Sequence, residues 1–252
     1  MVEDPAGKRT RGSAIPWARA NDDPWLGSRR VVPVRPHIRS WLQGRTTGPF
    51  VEIGPGLRPT APIRGSHFVD RSAHVLELLH ARGADVSVAD GGLPFTDGSI
   101  GAAVAFEVFE HVPDDAALFR EVARVVRPDG MLLMSVPIRA SMWTPLDDAC
   151  GHVRRYEPDE LFAATKAAGF EVRGYMWAPA GSAVMRNLQA RILTAGRPIA
   201  TKLVQNLIFP IQAAWDRFFG KVAWSSPDEP VPSAADDLVV WLERTDGQIT
   251  RR

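Results

Sequence analysis

The sequence contains almost no cysteine, no long apolar run and few lysines. The first two absences exclude particular classes of protein and of binding site. A single cysteine, Cys150, excludes an internal disulfide and a cysteine-based zinc site. No uninterrupted apolar stretch is long enough to span a membrane, and the first residues lack the apolar core of a signal peptide. We therefore expect a cytoplasmic protein. The 26 arginines against 4 lysines hint at a GC-rich bacterial genome.

Charge is distributed unevenly along the chain, although the net charge is only +1. Residues 1–45 carry nine basic and four acidic side chains, and residues 181–222 carry six and one. Residues 46–180 between them carry twelve basic and eighteen acidic side chains. An acidic centre argues against a nucleic-acid-binding face there and suits a cationic ligand. The basic flanks could be solvated surface, or could contact anionic substrates or lipid headgroups.

Short apolar runs alternate with helical patterns through the centre of the chain. The runs predict strands at residues 50–53, 67–70, 86–89, 100–106, 131–136, 170–177 and 238–242, with helices at 72–83, 113–127 and 157–169. This alternation predicts an α/β fold with a doubly wound, mostly parallel seven-stranded sheet covered by helices on both faces.

Composition divides the chain into four parts. We expect an N-terminal extension at 1–45, a core at 46–180, a helical insertion at 181–225 before the last strand, and the final strand and tail at 226–252. Trp17 and Trp25 in the extension could pack on the core or form a lid over a ligand. The basic, amphipathic segment 181–222 could be helices packed on the domain or across a homodimer, a substrate cap, or a peripheral membrane contact.

Carboxylates follow the first three predicted strands. Glu52, Asp70 and Asp90 stand at or just past these strand ends, and Gly54 and Gly56 allow backbone N–H groups to approach a ligand closely. Because the carboxyl ends of parallel strands share one crevice, we expect the three carboxylates to face one ligand. The alternative is three strand-terminal caps with no shared ligand.

Several motifs together resemble those of class I S-adenosylmethionine-dependent methyltransferases of the small-molecule type, a Rossmann-like family. The resemblance covers about residues 48–177 and rests on these segments: Glu52-Ile-Gly-Pro-Gly56, Asp70, Ala89-Asp90 with Leu93-Pro-Phe95, Glu107-Val-Phe-Glu-His111, Arg127-Pro-Asp-Gly130 and Gly169-Phe170. In two places the chain departs from the family pattern. Arg58 stands where many members have a third glycine, and Gly101 replaces an aspartate common at the start of the fourth strand.

The resemblance implies S-adenosylmethionine as cofactor and S-adenosylhomocysteine as its product. Glu52 would lie near the cofactor ammonium, Asp70 would bind the ribose hydroxyls, and Asp90 would accept from the adenine amine. His111 would help to close the pocket near the sulfonium. The full implied cofactor set is Glu52, Gly54, Pro55, Gly56, Asp70, Arg71, Asp90, Gly91, Leu93, Glu107, Val108 and His111.

Candidate catalytic residues lie in and near the segment from Gly151 to Tyr156, which also resembles a segment in a subset of these methyltransferases. Methyl transfer is an in-line displacement, and a hydroxyl acceptor must also lose its proton. His152 is the predicted base because histidine titrates near neutrality, and His111 is the second candidate; a structural role is open for each.

The acceptor-binding residues are expected partly in this segment and partly in the N-terminal extension. The predicted set is Trp17, Trp25, Arg154, Arg155 and Tyr156, although the arginines could instead pair with Asp147 and Asp148. No metal site is predicted, because Asp147, Asp148 and a histidine have no distinctive ligand spacing.

These observations favour O-methylation of a hydroxyl on a small polar metabolite or a sugar or glycan. N- or C-methylation of a small molecule and a non-catalytic binding protein of the same fold are the alternatives. A NAD-dependent oxidoreductase is disfavoured, because neither a third glycine nor an uninterrupted helix follows Gly56.

Overall fold

The computed structural model of the chain describes residues 36–43, 45, 48–179 and 223–245. Most of the predicted N-terminal extension and nearly all of the predicted insertion lie outside these residues, as do Trp17 and Trp25. Within the described ranges the strands and α-helices are α1 (Pro36–Gln43), β1 (Phe50–Ile53), β2 (His67–Asp70), α2 (Ala73–His80), β3 (Asp85–Val88), β4 (Ile100–Phe106), α3 (Asp115–Val125), β5 (Val126–Pro137), α4 (Pro145–Cys150), α5 (Pro158–Ala167), β6 (Phe170–Pro179) and β7 (Ala235–Arg244).

The strands form one seven-stranded sheet in the order β3-β2-β1-β4-β5-β7-β6. The first five strands in this order pair in parallel, and β7 runs antiparallel to both β5 and β6. The predicted doubly wound, mostly parallel sheet is confirmed. The chain builds outward from β1 to β3 and then returns to β4 on the other side of β1. This reversal opens a crevice at the carboxyl ends of β1 and β4, where such sheets bind ligands.

Both faces of the sheet are covered by apolar side chains. All seven residues of β4 are buried, which explains its uninterrupted apolar sequence. Neighbouring residues on β5 point to opposite faces, since Leu132 packs with the side chains of α3 and α5 and Leu133 packs with those of α1 and α2. Burying a side chain of this size contributes roughly 1.5–3 kcal/mol. The sheet is therefore held between two helical layers.

Helix α1 is anchored by an aromatic cluster. The Trp41 ring lies 4.9 Å from that of Trp224 and 5.1 Å from that of Trp241 on β7. Ile38 and Leu42 on the same helix are fully buried. Trp41 therefore has a packing role, and the chain just before β1 is attached to the middle of the sheet.

Several local features differ from the sequence prediction, among them the start of β5 at Val126 rather than at 131. Helix α3 begins at Asp115 rather than at 113, because the side chain of Asp114 accepts a hydrogen bond from the backbone N–H of Ala117 at 2.9 Å and caps the helix. It ends at Val125 because Val126 already pairs with Ile100 in the sheet. Helix α4 was not predicted, and a capping box between Thr144 and Asp147 forms its first turn.

No helix in the described ranges is long and apolar enough to cross a lipid bilayer.

Candidate active site

The glycine loop after β1 has two glycines with different surroundings. Gly54 has a φ of +62°, and a Cβ there would lie 2.7 Å from Cγ2 of Val108, so only glycine fits. Its N–H donates to the carbonyl of Val69 at 2.8 Å. Gly56 has a φ of +51°, and no heavy atom of the described residues, its chain neighbours apart, lies within 4 Å of the corresponding Cβ position. The loop therefore packs against the end of β4 at Gly54 and faces open space at Gly56.

Glu52 is buried beneath the returning end of this loop. Its carboxylate accepts from the backbone N–H of Thr60 at 2.9 Å and from that of Ala61 at 2.7 Å. The prolines in this loop prevent a helix, so its backbone N–H groups have no helical acceptors. The Glu52 carboxylate accepts from two of these groups instead. The structure thus gives Glu52 a role in holding the loop, and its predicted contact with a cofactor ammonium stays a prediction.

Asp70 joins the end of β2 to the glycine loop. Its Oδ2 accepts from the N–H of Gly56 at 3.2 Å, and its Oδ1 accepts from the N–H of Ser72 at 2.8 Å. Burial raises the pKa of the Asp70 carboxyl, although these N–H donors favour its charged form. The carboxylate predicted to bind ribose therefore lies directly against the open side of the loop, while Arg71 beside it is exposed.

The loop after β3 carries the predicted adenine-binding residues. Asp90 is exposed, and Gly91 has a φ of +73° with open space at its Cβ position. Leu93 is buried, and its N–H donates to the carboxylate of Glu121 on α3 at 2.8 Å. Arg124 on the same helix donates to the carbonyl of Leu93 at 3.1 Å. Helix α3 thus fixes the loop, and Gly91 presents bare backbone at the same sheet edge as Gly56.

The end of β4 closes the other side of the crevice. Glu107 has a φ of +55°, a conformation that costs a non-glycine residue on the order of 1–3 kcal/mol and is concentrated at functional sites. Ser135 holds it there, since its hydroxyl donates to Glu107 Oε1 at 2.5 Å and its carbonyl accepts from the Glu107 N–H at 3.1 Å. The turn places Val108 against Gly54, so the segment from Glu107 to His111 lies next to the glycine loop.

A cluster of Glu110, His111 and His152 follows this turn. Glu110 is completely buried, and no described group donates a hydrogen bond to either of its carboxyl oxygens. Its Oε1 lies 3.7 Å from Nε2 of His111 and 3.9 Å from Nε2 of His152. Burial, together with the nearby Glu107, Asp237 and Asp147, raises the pKa of Glu110 well above its usual value. Burial also lowers the pKa of His111 to about 4, with a further contribution from His152.

The orientation of both imidazoles is fixed through Nδ1. The Nδ1 of His152 lies 3.0 Å from Oδ1 of Asp147, and the Nδ1 of His111 lies 3.3 Å from the carbonyl of Gly151. A carbonyl or a carboxylate accepts, so in the neutral form of each imidazole Nδ1 carries the proton and Nε2 carries the lone pair. Although burial opposes it, hydrogen bonds from His152, Arg155 and Thr144 hold the pKa of Asp147 well below its usual range. Asp147 therefore stays charged beside His152.

The three described residues predicted to bind the acceptor are engaged inside the protein. Arg155 donates to Asp147 at 2.7 Å and to Asp236 at 2.7 Å, and its side chain is 5% exposed. Arg154 pairs with Asp115 at 2.6 Å, and the hydroxyl of Tyr156 donates to the same aspartate at 2.7 Å. The pairing with acidic residues that the sequence left open is thus found for Arg155. An acceptor contact by these residues stays a prediction.

Sequence reasoning missed the importance of two residues here. The sequence indicates Glu110 only as part of a motif, and Asp147 only as a possible partner of an arginine or as one of three residues without a distinctive metal-ligand spacing. The signal for Glu110 was weak, because a Glu-His pair after a strand does not show that the carboxylate is buried. Asp147 could have been found from Thr144 three residues earlier, since this spacing predicts a capping box that fixes the aspartate.

A cavity of about 300 Å³ lies elsewhere, between the amino ends of β4 and β5 and the end of β7. Arg127, Asp129 and Glu243 line it. It is at the opposite edge of the sheet from the carboxylates and glycines described above.

Comparisons with known proteins agree with this geometry. Residues 58–134 match the family model described as a methyltransferase domain. A protein of Mycolicibacterium smegmatis named as a probable S-adenosylmethionine-dependent methyltransferase is 37% identical over 101 residues, which are 37% of this chain and 38% of that protein. A Mycobacterium tuberculosis protein with the same description is 39% identical over 80 residues, which are 31% of this chain and 29% of that protein. The matched regions thus span well under half of these relatives.

Solved structures share the fold. The YcgJ protein of Bacillus subtilis superimposes with a TM-score of 0.55 over 83% of this chain and 97% of its own, at 16% sequence identity. At this identity the likeness concerns the fold alone.

Proposed function

We propose that this chain, which contains a class I S-adenosylmethionine-dependent methyltransferase domain, methylates a hydroxyl group on a small polar metabolite, sugar or glycan, with S-adenosylmethionine as its cofactor. The observation that carries the choice of a hydroxyl acceptor is the hydrogen bond between Asp147 and His152 beside the crevice. A cytoplasmic location, as expected from the sequence, is part of this proposal.

The residues at the strand ends fit the cofactor. Gly56 and Gly91 leave open space where any other residue would place a Cβ, and a ligand can therefore reach the backbone. Asp70 lies between them in the sheet order and offers a carboxylate to a diol. When bound, S-adenosylmethionine supplies a methyl group made electrophilic by its sulfonium.

His152 is the proposed base. Asp147 holds its Nδ1–H, so the Nε2 lone pair is available to take the proton of an acceptor hydroxyl. The charged carboxylate then stabilises the imidazolium that forms. His111, whose ring centroid is 4.8 Å from that of His152, orders the same pocket and is the second candidate. A neutral amine has a nucleophilic lone pair and needs no base before it attacks, and the Asp147–His152 pair therefore favours a hydroxyl over such a nitrogen.

A NAD-dependent oxidoreductase is the weaker alternative. Residues 54–66, all described, contain no helix, so the glycine loop lacks the helix N-terminus that holds a pyrophosphate in dinucleotide-binding folds. A non-catalytic protein that keeps the cofactor site is distinguished from an enzyme only by assay.

The test uses purified protein, S-adenosylmethionine with an isotopically labelled methyl group, and a fractionated polar metabolite extract. Mass spectrometry should find labelled methyl on a hydroxylated product. Asp70→Ala should weaken cofactor binding strongly, while His152→Ala should slow turnover and leave cofactor affinity nearly intact. His74→Ala, a histidine change on α2, is the matched control. Equal loss of cofactor affinity in the Asp70 and His152 variants would refute this division of roles.

A further inference from the structure

Glu110 is a buried acid with two histidines near its carboxyl group. Neither of its carboxyl oxygens accepts a hydrogen bond from a described residue, and the side chain is 0% exposed. A buried polar group in this condition is destabilising unless something compensates it, and native proteins rarely leave one alone. Direct hydrogen bonds to the histidines do not account for it, because 3.7 and 3.9 Å are longer than a hydrogen bond.

The Nε2 atoms of both histidines lie close to this carboxylate. Each Nδ1–H is used, by Asp147 for His152 and by the carbonyl of Gly151 for His111. Histidines that bind metals show this arrangement, in which a carboxylate or carbonyl holds one nitrogen and the other binds the ion. The ligand atoms of Glu110, His111 and His152 all lie within 4.8 Å of one another.

We propose that Glu110, His111 and His152 form a binding site for a divalent transition-metal ion. Two imidazole nitrogens and one carboxylate oxygen suit ions such as Zn²⁺, Co²⁺ or Fe²⁺, and the ion supplies Glu110 with a positive partner that the described residues do not provide. Ligand atoms on one such ion lie about 3–3.6 Å apart. The Glu110–histidine separations of 3.7 and 3.9 Å need a small contraction, and the widest separation in the cluster, which is within 4.8 Å, needs a larger one.

The site is placed to act on the acceptor. The turn that carries Glu110 and His111 also carries Val108, which contacts the glycine loop at Gly54. With three protein ligands, a zinc-like ion keeps a coordination position open for a water or substrate oxygen. An acceptor hydroxyl bound there becomes more acidic, as water does on zinc.

Only this acceptor role rests on the proposed methyl transfer; the metal site itself does not. An ion on Nε2 of His152 occupies the lone pair that would otherwise take the acceptor proton. With the metal bound, the ion rather than His152 would make the acceptor hydroxyl acidic, and its proton would pass to solvent. The oxygen would then take the methyl group, and the sulfonium would become the thioether of S-adenosylhomocysteine.

The binding test uses full-length protein without a histidine tag, treated with chelator and dialysed. Titration with Zn²⁺, followed by calorimetry, and with Co²⁺, followed by its visible absorption, should show one ion per chain. Glu110→Gln and His152→Gln should each weaken binding at least tenfold, and His74→Gln should bind like the wild type. Thermal unfolding of each variant checks that the fold is kept. Absence of binding by the wild type, or unchanged binding by Glu110→Gln and His152→Gln, would overturn the site.

Measurements of methyl transfer distinguish a failure of the metal-site proposal from a failure of the proposed function. Chelator-treated protein should bind S-adenosylhomocysteine normally, lose at least tenfold in methyl-transfer rate, and recover when Zn²⁺ or Co²⁺ is restored. Full activity of the metal-free protein would overturn the acceptor role and leave the measured ion binding in place. Metal binding without any methyl transfer would instead count against the proposed function.

Discussion

Replacement of Gly56 by alanine tests whether this glycine lines the cofactor site or only allows the chain to turn. Gly56 and Gly65 both have positive φ, +51° and +83°, and in the part of the chain that the structure describes neither has a heavy atom beyond its chain neighbours within 4 Å of its Cβ position. Both lie in the connection between β1 and β2. The backbone strain of the two alanine variants should therefore be nearly the same, whereas only Gly56 faces the proposed cofactor.

The expected magnitudes follow from this geometry. An alanine in the left-handed region costs roughly 1–2 kcal/mol, so Gly56→Ala and Gly65→Ala should lose similar free energies of unfolding. A methyl group forced between loop and ligand costs a further ~1–3 kcal/mol of binding, or roughly 5- to 150-fold in Kd. Gly54→Ala should lose more stability than either, because its Cβ would also lie 2.7 Å from Val108.

The assays are urea denaturation for stability and calorimetric titration with S-adenosylhomocysteine for affinity. Gly65→Ala should bind like the wild type, and Gly56→Ala should bind at least fivefold more weakly at equal stability. Wild-type affinity in Gly56→Ala would show that the open space at this glycine is not a wall of the cofactor site.

Three further substitutions test the contacts around the site. Glu52→Gln keeps an acceptor for only one of two loop N–H groups and should lower the free energy of unfolding by about 1–3 kcal/mol; an unchanged urea midpoint would contradict the bracing role. Asp70→Asn should weaken cofactor binding at least tenfold in the same calorimetric assay, and retained affinity would exclude its ribose role. Arg155→Met leaves the buried carboxylates of Asp147 and Asp236 without their shared cation and should cost about 3–5 kcal/mol in urea denaturation, whereas a loss under 1 kcal/mol would refute the network.

The sheet could be predicted because each strand is marked by its own residues. Ile100–Phe106 is apolar at every position, and it is buried at every position. Phe50–Ile53 ends at a glycine, and the following strands end at or just before carboxylates, so the shared edge of Glu52, Asp70 and Asp90 follows from parallel pairing. These are local signals, and they need no knowledge of distant contacts.

The side-chain contacts of the site could not be predicted in the same way. Arg155 binds Asp236, which lies 81 residues further along the chain, and no pattern in either segment indicates the other. Glu52 turned toward Thr60 because the loop folds back over β1, and a proline-rich sequence does not specify that path. The burial of Glu110 depends on the histidine segment that covers it, forty residues later in the chain.

The central claim is that the carboxyl ends of the first strands bind one molecule of S-adenosylmethionine. A crystal structure of the full chain with S-adenosylhomocysteine tests it most directly. We expect the ribose hydroxyls at Asp70, the methionine part against Gly56, and the adenine beside Gly91. Density for the ligand at another edge of the sheet, or a site in which Asp70 does not contact it, would contradict the account.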